Sequence, residues 1–170
     1  SGVNEGNEHM RHQKTLLWGF AGTIVMTSIL RASQALGLTR IDLPLMLGTM
    51  ITRRRERAKV YGFIIHLING WIFAYVYAAA FESIKRATWW IGMIIGAIHG
   101  LFVLMVGMPA LPGLHPRMAN NATGPEPTRD LQPPGFMALN YGQQTAIATM
   151  AAHLIFGLIL GAFYPSRRRR

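Results

Sequence analysis

The sequence predicts an all-α integral membrane protein, a bundle of four transmembrane helices. Three observations carry that prediction. Four apolar runs, nearly free of charge, are each long enough to cross a hydrocarbon core of about 30 Å. Charged residues make up 14% of the chain, against roughly 25% in an average soluble protein, and they collect in short clusters between the runs. Hydrophobic residues account for 51% of 170, and the mean hydropathy is +0.24. Little chain is left outside the runs, so residues 1–170 are expected to form a single membrane domain.

The polar stretch 1–14 (SGVNEGNEHMRHQK) reads as a mobile, solvated terminus despite His9 and His12. The first span is expected over about 15–36, with Trp18 as an interfacial aromatic. Arg31 lies near its far end, where it either snorkels to the headgroups or turns inward to hold an anionic group. From 42 to 52 an apolar face about ten residues long is too short to span. Asp42 can cap it and Pro44 fits a first turn, so an amphipathic helix lying in the interface is expected. The second span covers about 59–81, with Tyr75 and Tyr77 toward its far end, and a short turn leads to the third, about 89–108. Residues 109–140 form a Pro-rich loop that cannot be helical throughout and serves as an ordered cap or a partner-binding segment. Within it, Asn121-Ala122-Thr123 matches a glycosylation acceptor that nothing else in the chain supports. The fourth span covers about 143–164.

Four spans put both termini on one side. Each side carries eight Lys and Arg residues, so charge does not orient the chain. The expected location is a bacterial inner membrane. Net charge is +10, yet the basic residues flank apolar runs and no aromatic-and-basic module accompanies them, which argues against nucleic acid. Arg53, Arg54, Arg55, Arg57, Arg167 and Arg168 are instead expected to meet the headgroups of membrane lipids, anionic lipid included. There is no cysteine, which excludes disulfides, thiolate metal sites and a Cys nucleophile.

Small residues recur every fourth position in the spans. Gly92, Gly96 and Gly100 run beside His99, Gly62 and Gly70 flank His66, and His153 precedes Gly157 and Gly161. Such tracks let helices approach closely, so these glycines are the expected packing residues. The second and fourth spans also share the form H-L-I-x-G-x-I-x-x-x-x-Y, from His66 and from His153. Two duplicated helical hairpins, related by an axis along the membrane normal, would give that echo. Bulky residues such as Phe63, Trp71, Phe73, Phe102, Phe156 and Phe163 fall mostly off the tracks and are expected to face lipid or a neighbouring subunit.

An ionisable residue inside a membrane usually faces the bundle interior. His99 and His153 should stand level on antiparallel helices, as axial ligands of haem b or part of a transition-metal site would. A single His could hold a chlorophyll-type pigment. His66 and His115 could form a second metal site, with Met108 and Met118 near the latter. The alternative is that each histidine packs in a glycine groove and hydrogen-bonds a backbone carbonyl or Asn69; with Arg31, the histidines could form one buried basic set. No Asp or Glu lies inside a span, which argues against a proton pump, and no hydrolytic or phosphate-binding motif is present. The expected function is therefore a non-catalytic accessory subunit of a larger membrane complex, of an energy-transducing kind, with other membrane subunits as partners. The alternatives are a haem-, metal- or pigment-binding redox subunit and a small transporter or channel.

Overall fold

The computed structural model describes residues 2–119 and 131–165. Among these, every regular element is helical, and one isolated bridge pairs Met118 with Leu131. The order is α1 (Gly2–Ala35), α2 (Leu43–Gly48), α3 (Arg55–Ile84), α4 (Trp89–Phe102), a π-helical turn (Val103–Gly107), α5 (Met108–Leu114), a 3-10 turn (Phe136–Tyr141) and α6 (Thr145–Phe163). Four stretches are long and apolar enough to cross a membrane: Glu5–Ala35, Arg55–Ile84, Trp89–Leu114 and Thr145–Phe163.

Three elements differ from the sequence expectation. The polar N-terminal stretch is helical and continuous with the first apolar run, because α3 holds it: Arg11 pairs with Glu82 at 2.9 Å and His12 packs on Tyr75 with ring centroids 5.9 Å apart. The third long helix continues beyond Met108 into the start of the Pro-rich segment. A proline ring collides with the carbonyl four residues back, and the widened π turn (Val103–Gly107) contains Met105, four residues before Pro109. Helix α2 is six residues long and is packed on α3, with no free apolar face along a surface. Asp42 caps it by accepting from the Leu45 N–H at 3.0 Å. A Cβ on Gly48 would strike the Ala58 carbonyl, and one on Gly62 the Pro44 carbonyl, so α2 runs antiparallel to the first turns of α3 at backbone contact. Ala58 and Gly62 make the groove that the apolar face of α2 fills.

The long helices pack in a chain of neighbours: α4 lies along α6, α6 along α1, and α1 along α3. The consecutive helices α3 and α4 do not pack along each other. Two equivalent hairpins would repeat the α1–α6 contact between α3 and α4; here that contact is missing, and a gap stands in its place. One apolar core centres on Tyr77, Phe81, Ala152 and Phe156. A second, at the other end, joins Ile41, Met46, Leu104, Met108, Met118 and Ala138, so the described parts of the Pro-rich segment form an ordered cap over α2 and the π turn. Phe156 is 1% exposed, where an outward face was expected, because it fills the space over Gly22 of α1 and meets Tyr77 edge-on. Tyr77 is likewise buried, contrary to an interfacial place. The outer faces carry exposed large aliphatics such as Ile64, Ile68, Ile72, Ile94 and Ile98, together with Phe102 and Phe163.

Candidate functional site: a histidine-lined cavity

A cavity of about 230 Å³ lies between α1, α2, α3, α4, the π turn, α5 and α6. Its polar lining is His66, Asn69, His99, Thr149 and His153; its walls include Met26, Phe73, Met108 and Phe156. The small-residue tracks place these side chains. Gly70 lets Thr23 of α1 approach at van der Waals contact, while Gly96 lies against the backbone of His153 and Gly100 against its Cβ. Gly92 meets Gly157 and Gly161 directly.

For two of the three rings the hydrogen bonds set which nitrogen carries the proton. The Thr27 hydroxyl gives its one proton to the Thr23 carbonyl at 2.8 Å, so at 3.0 Å it can only accept from His66 Nδ1. His153 Nδ1 lies 2.7 Å from the Thr149 carbonyl, which only accepts. In their neutral forms both rings therefore keep the proton on Nδ1 and present an Nε2 lone pair, and neither Nε2 has a partner among the described residues. His99 is held differently. The buried Tyr77 hydroxyl lies 3.3 Å from its Nδ1, and either of the two can be the donor. The ring stacks on Phe73 at 3.8 Å between centroids and meets the edge of His153 at 4.7 Å. Thr149 is 2% exposed, and its hydroxyl has no hydrogen-bond partner among the described residues. Leaving a buried hydroxyl unpaired costs about 1–3 kcal/mol.

His66 thus joins His99 and His153, not His115. His115 is fully used by the cap: its Nε2 donates to the Met46 carbonyl at 2.9 Å, its Nδ1 accepts from the Arg117 N–H at 3.1 Å, and it does not line the cavity. Burial pushes its pKa below the usual imidazole value, and the nearby Arg117 guanidinium acts in the same direction. Arg31 is exposed and stands outside the histidine set, its long side chain being free to reach away from the apolar helices. Arg53, Arg54, Arg55 and Arg57 are exposed around the start of α3. Arg167, Arg168 and the Asn121-Ala122-Thr123 triplet lie outside the described residues.

The site is a poor match for the cofactors expected from sequence. Two imidazoles on opposite faces of a haem, each about 2 Å from the iron, would hold their ring centroids roughly 6 Å apart with a macrocycle between them. His99 and His153 are in edge contact at 4.7 Å, which leaves no slot for one. A cavity of about 150 Å³ takes one benzene, so 230 Å³ suits roughly nine or ten heavy atoms by proportion, far fewer than haem or a chlorophyll-type pigment contains. No group of three His, Asp or Glu side chains among the described residues converges closely enough to hold a metal ion.

No protein-family model, no curated protein and no solved structure matches this chain. Chemically, the lining offers hydrogen bonds and aromatic surface; it contains no carboxylate, no cation and no nucleophile set against a base. Sequence reasoning reached the three histidines but missed Thr27, Tyr77 and Thr149, which orient or accompany them. One signal was available: Thr149 and Thr27 sit on the same every-fourth-residue tracks as the glycines, where a hydroxyl faces the packed interior as the glycines do.

Proposed function

We propose that the chain is an integral, multi-pass membrane protein whose four spans form a bundle that binds a small molecule in its central cavity, without catalysing a reaction on it. The observation that carries this reading is the convergence of His66, His99 and His153, with Asn69 and Thr149 beside them, on one largely apolar cavity. A pocket of that make-up, with a few convergent polar groups, is the usual form of a ligand site. The exposed aliphatic faces of all four long helices support the membrane setting. Arg11, Glu82 and Tyr164 meet at one end of the bundle, which supports placing both termini on one side.

Two experiments test it. Native mass spectrometry of the full chain in mild detergent should retain a small bound molecule that organic solvent releases. A chain that is uniformly empty, and whose melting is unmoved by small apolar aromatics, would falsify the reading. For topology, single cysteines at Gly6 and Ser83 should label from one face of sealed vesicles, and one at Arg54 from the other.

A second reading is that the chain is an accessory subunit of a membrane complex. The gap between α3 and α4 favours it: Asn69 is exposed at that gap, halfway along α3, where a helix of another subunit could cover it. Stoichiometric co-purification of a partner supports that reading, and crosslinks from Asn69 to lipid alone oppose it.

A further inference from the structure

We propose that the cavity is a site for an uncharged aromatic diol of the quinol class, admitted from the lipid phase through the gap between α3 and α4. The proposal rests on the ligand-binding reading above and adds the chemical class of the ligand.

Four features set that class. The lining holds no Asp, Glu, Lys or Arg, and a charge buried among apolar groups without a partner is prohibitively costly, so the ligand is uncharged. Two of the three imidazoles, His66 and His153, present unpartnered Nε2 lone pairs, so the ligand carries hydrogen-bond donors. Among the described residues no three such side chains are arranged to hold one ion, and a ring with hydroxyls at opposite positions reaches separate acceptors where an ion cannot. Finally, Phe73 and Phe156 supply flat apolar walls, and Met26, Met46 and Met108 supply adaptable ones. The volume holds roughly nine or ten heavy atoms, the size of one substituted ring or two fused rings.

Thr149 gives an independent sign that something polar is missing. Most buried threonines in helices return their hydroxyl to the carbonyl four residues back, as Thr23 does to Gly19 at 2.7 Å and Thr27 to Thr23 at 2.8 Å. Thr149 does not, although it is as deeply buried and lies on the cavity wall. The oxygen itself has almost no accessible surface, and a turn about Cα–Cβ brings it to the cavity wall, where a second hydroxyl or carbonyl oxygen on the ligand completes it. The route in follows from the packing. Helices α3 and α4 are bridged at the cavity by the Phe73–His99 stack and the Tyr77–His99 hydrogen bond and not by close helix packing, so rotation of Phe73 widens the mouth toward lipid while Tyr77 holds His99.

The test measures binding to the full chain in lipid nanodiscs, anaerobically, with three probes: 1,4-dihydroxynaphthalene kept reduced, naphthalene, and Cu(I). The diol should bind at least tenfold more tightly than naphthalene after correction for partition into lipid. Thr149→Val, which removes no side-chain hydrogen bond found among the described residues, should weaken the diol about tenfold, the effect of one good hydrogen bond, and leave naphthalene unchanged. Thr149→Ser should retain the diol affinity. If the valine variant does not fold, the contrast between diol and naphthalene on the native chain decides. Naphthalene binding as tightly as the diol, or a valine variant with full diol affinity, overturns the quinol class and leaves the cavity reading standing. Stoichiometric Cu(I) that excludes the diol overturns it in favour of an ion. Binding of none of the three removes both readings.

Discussion

The carbonyl oxygen of Gly92 stands where Gly157 would carry a Cβ, and the carbonyl oxygen of Gly157 stands where Gly92 would carry one. The relationship is reciprocal, so α4 and α6 meet backbone to backbone at this point. Gly161 extends it one turn further, against the Thr88 carbonyl and the Gly92 backbone. Close contact of this kind is what holds helices together where the surroundings are as apolar as the side chains.

Replacing Gly157 with alanine should therefore act far more strongly than its size suggests. The added methyl meets a backbone oxygen, which cannot rotate aside as a side chain would, so the helices must separate. Overpacking of this kind costs about 1–3 kcal/mol, and here the upper end or beyond is expected. Gly113→Ala is the control: its Cβ would meet nothing within 4 Å, and stability should be unchanged or slightly raised. Reversible unfolding in mixed micelles compares the two. Equal stability of both variants would show that the α4–α6 contact is not close in solution.

His115 should make the cap sensitive to acid. Its folded-state pKa is lowered, first by burial and also by Arg117. The unfolded chain therefore takes up the proton first as pH falls. Stability is unaffected well above 6.5, the ordinary imidazole value, declines as pH drops below it, and levels off once the folded protein is protonated too. Protonation also removes the lone pair that accepts the Arg117 N–H. Hydrogen exchange of residues 46–50 and 115–118, corrected for intrinsic rates, should accelerate between pH 7.5 and 5.5. His115→Gln should lose that dependence, and a native protein with flat exchange across the range would refute the assignment.

At the opposite end, the Tyr164 hydroxyl donates to Glu82 Oε1 at 2.9 Å, and Arg11 binds the same oxygen. Burial first, then the hydrogen bond to Glu82 and its negative charge, push the phenol up to about 12 from the usual 10.0. The difference in phenolate absorbance between native protein and Tyr164→Phe isolates this group. Its midpoint should lie near 12, and a midpoint near 10 would mean the three residues do not meet. Because the pair Arg11–Glu82 is partly exposed, its removal should change stability by no more than about 1 kcal/mol.

How much of this could be read from sequence depends on the range of the interaction. Helix number and approximate limits were legible because apolar length and charge-free runs are local properties. The packing role of Gly92, Gly96 and Gly157 was approachable for the same reason, since spacing alone shows which side of a helix is thin. Two things were not local. The α3–α4 gap depends on which helices choose each other, and an internal echo between His66 and His153 suggested a symmetry that the packing breaks. Pairing His66 with His115 followed from depth along the helices, but Met46 and Arg117, from distant parts of the chain, take up both nitrogens of His115. Phe156 was placed outside by its position off the track, yet the width left open by Gly22 on another helix draws it in.

The tautomers of the cavity histidines provide a last test that needs neither ligand nor titration. His66 keeps its proton on Nδ1 only because Thr27, having spent its own proton on Thr23, must accept. Thr27→Val preserves the shape of the side chain and removes that acceptor. The Nδ1–H of His66 would then be buried and unpaired, so the proton should move to Nε2, where the cavity is open. Thr27→Ser, which keeps the hydroxyl, should leave the ring as it is. In ¹⁵N spectra of histidine-labelled protein, native His66 and His153 should both show a protonated Nδ1 and an unprotonated Nε2. The valine variant should invert His66 alone, and the destabilisation should be about 1 kcal/mol, the net worth of one buried hydrogen bond. If His66 already carries its proton on Nε2 in the native chain, the cavity loses one of its two acceptors. The ligand would then have to present a matching acceptor there, and the donor-rich diol would no longer be the best complement.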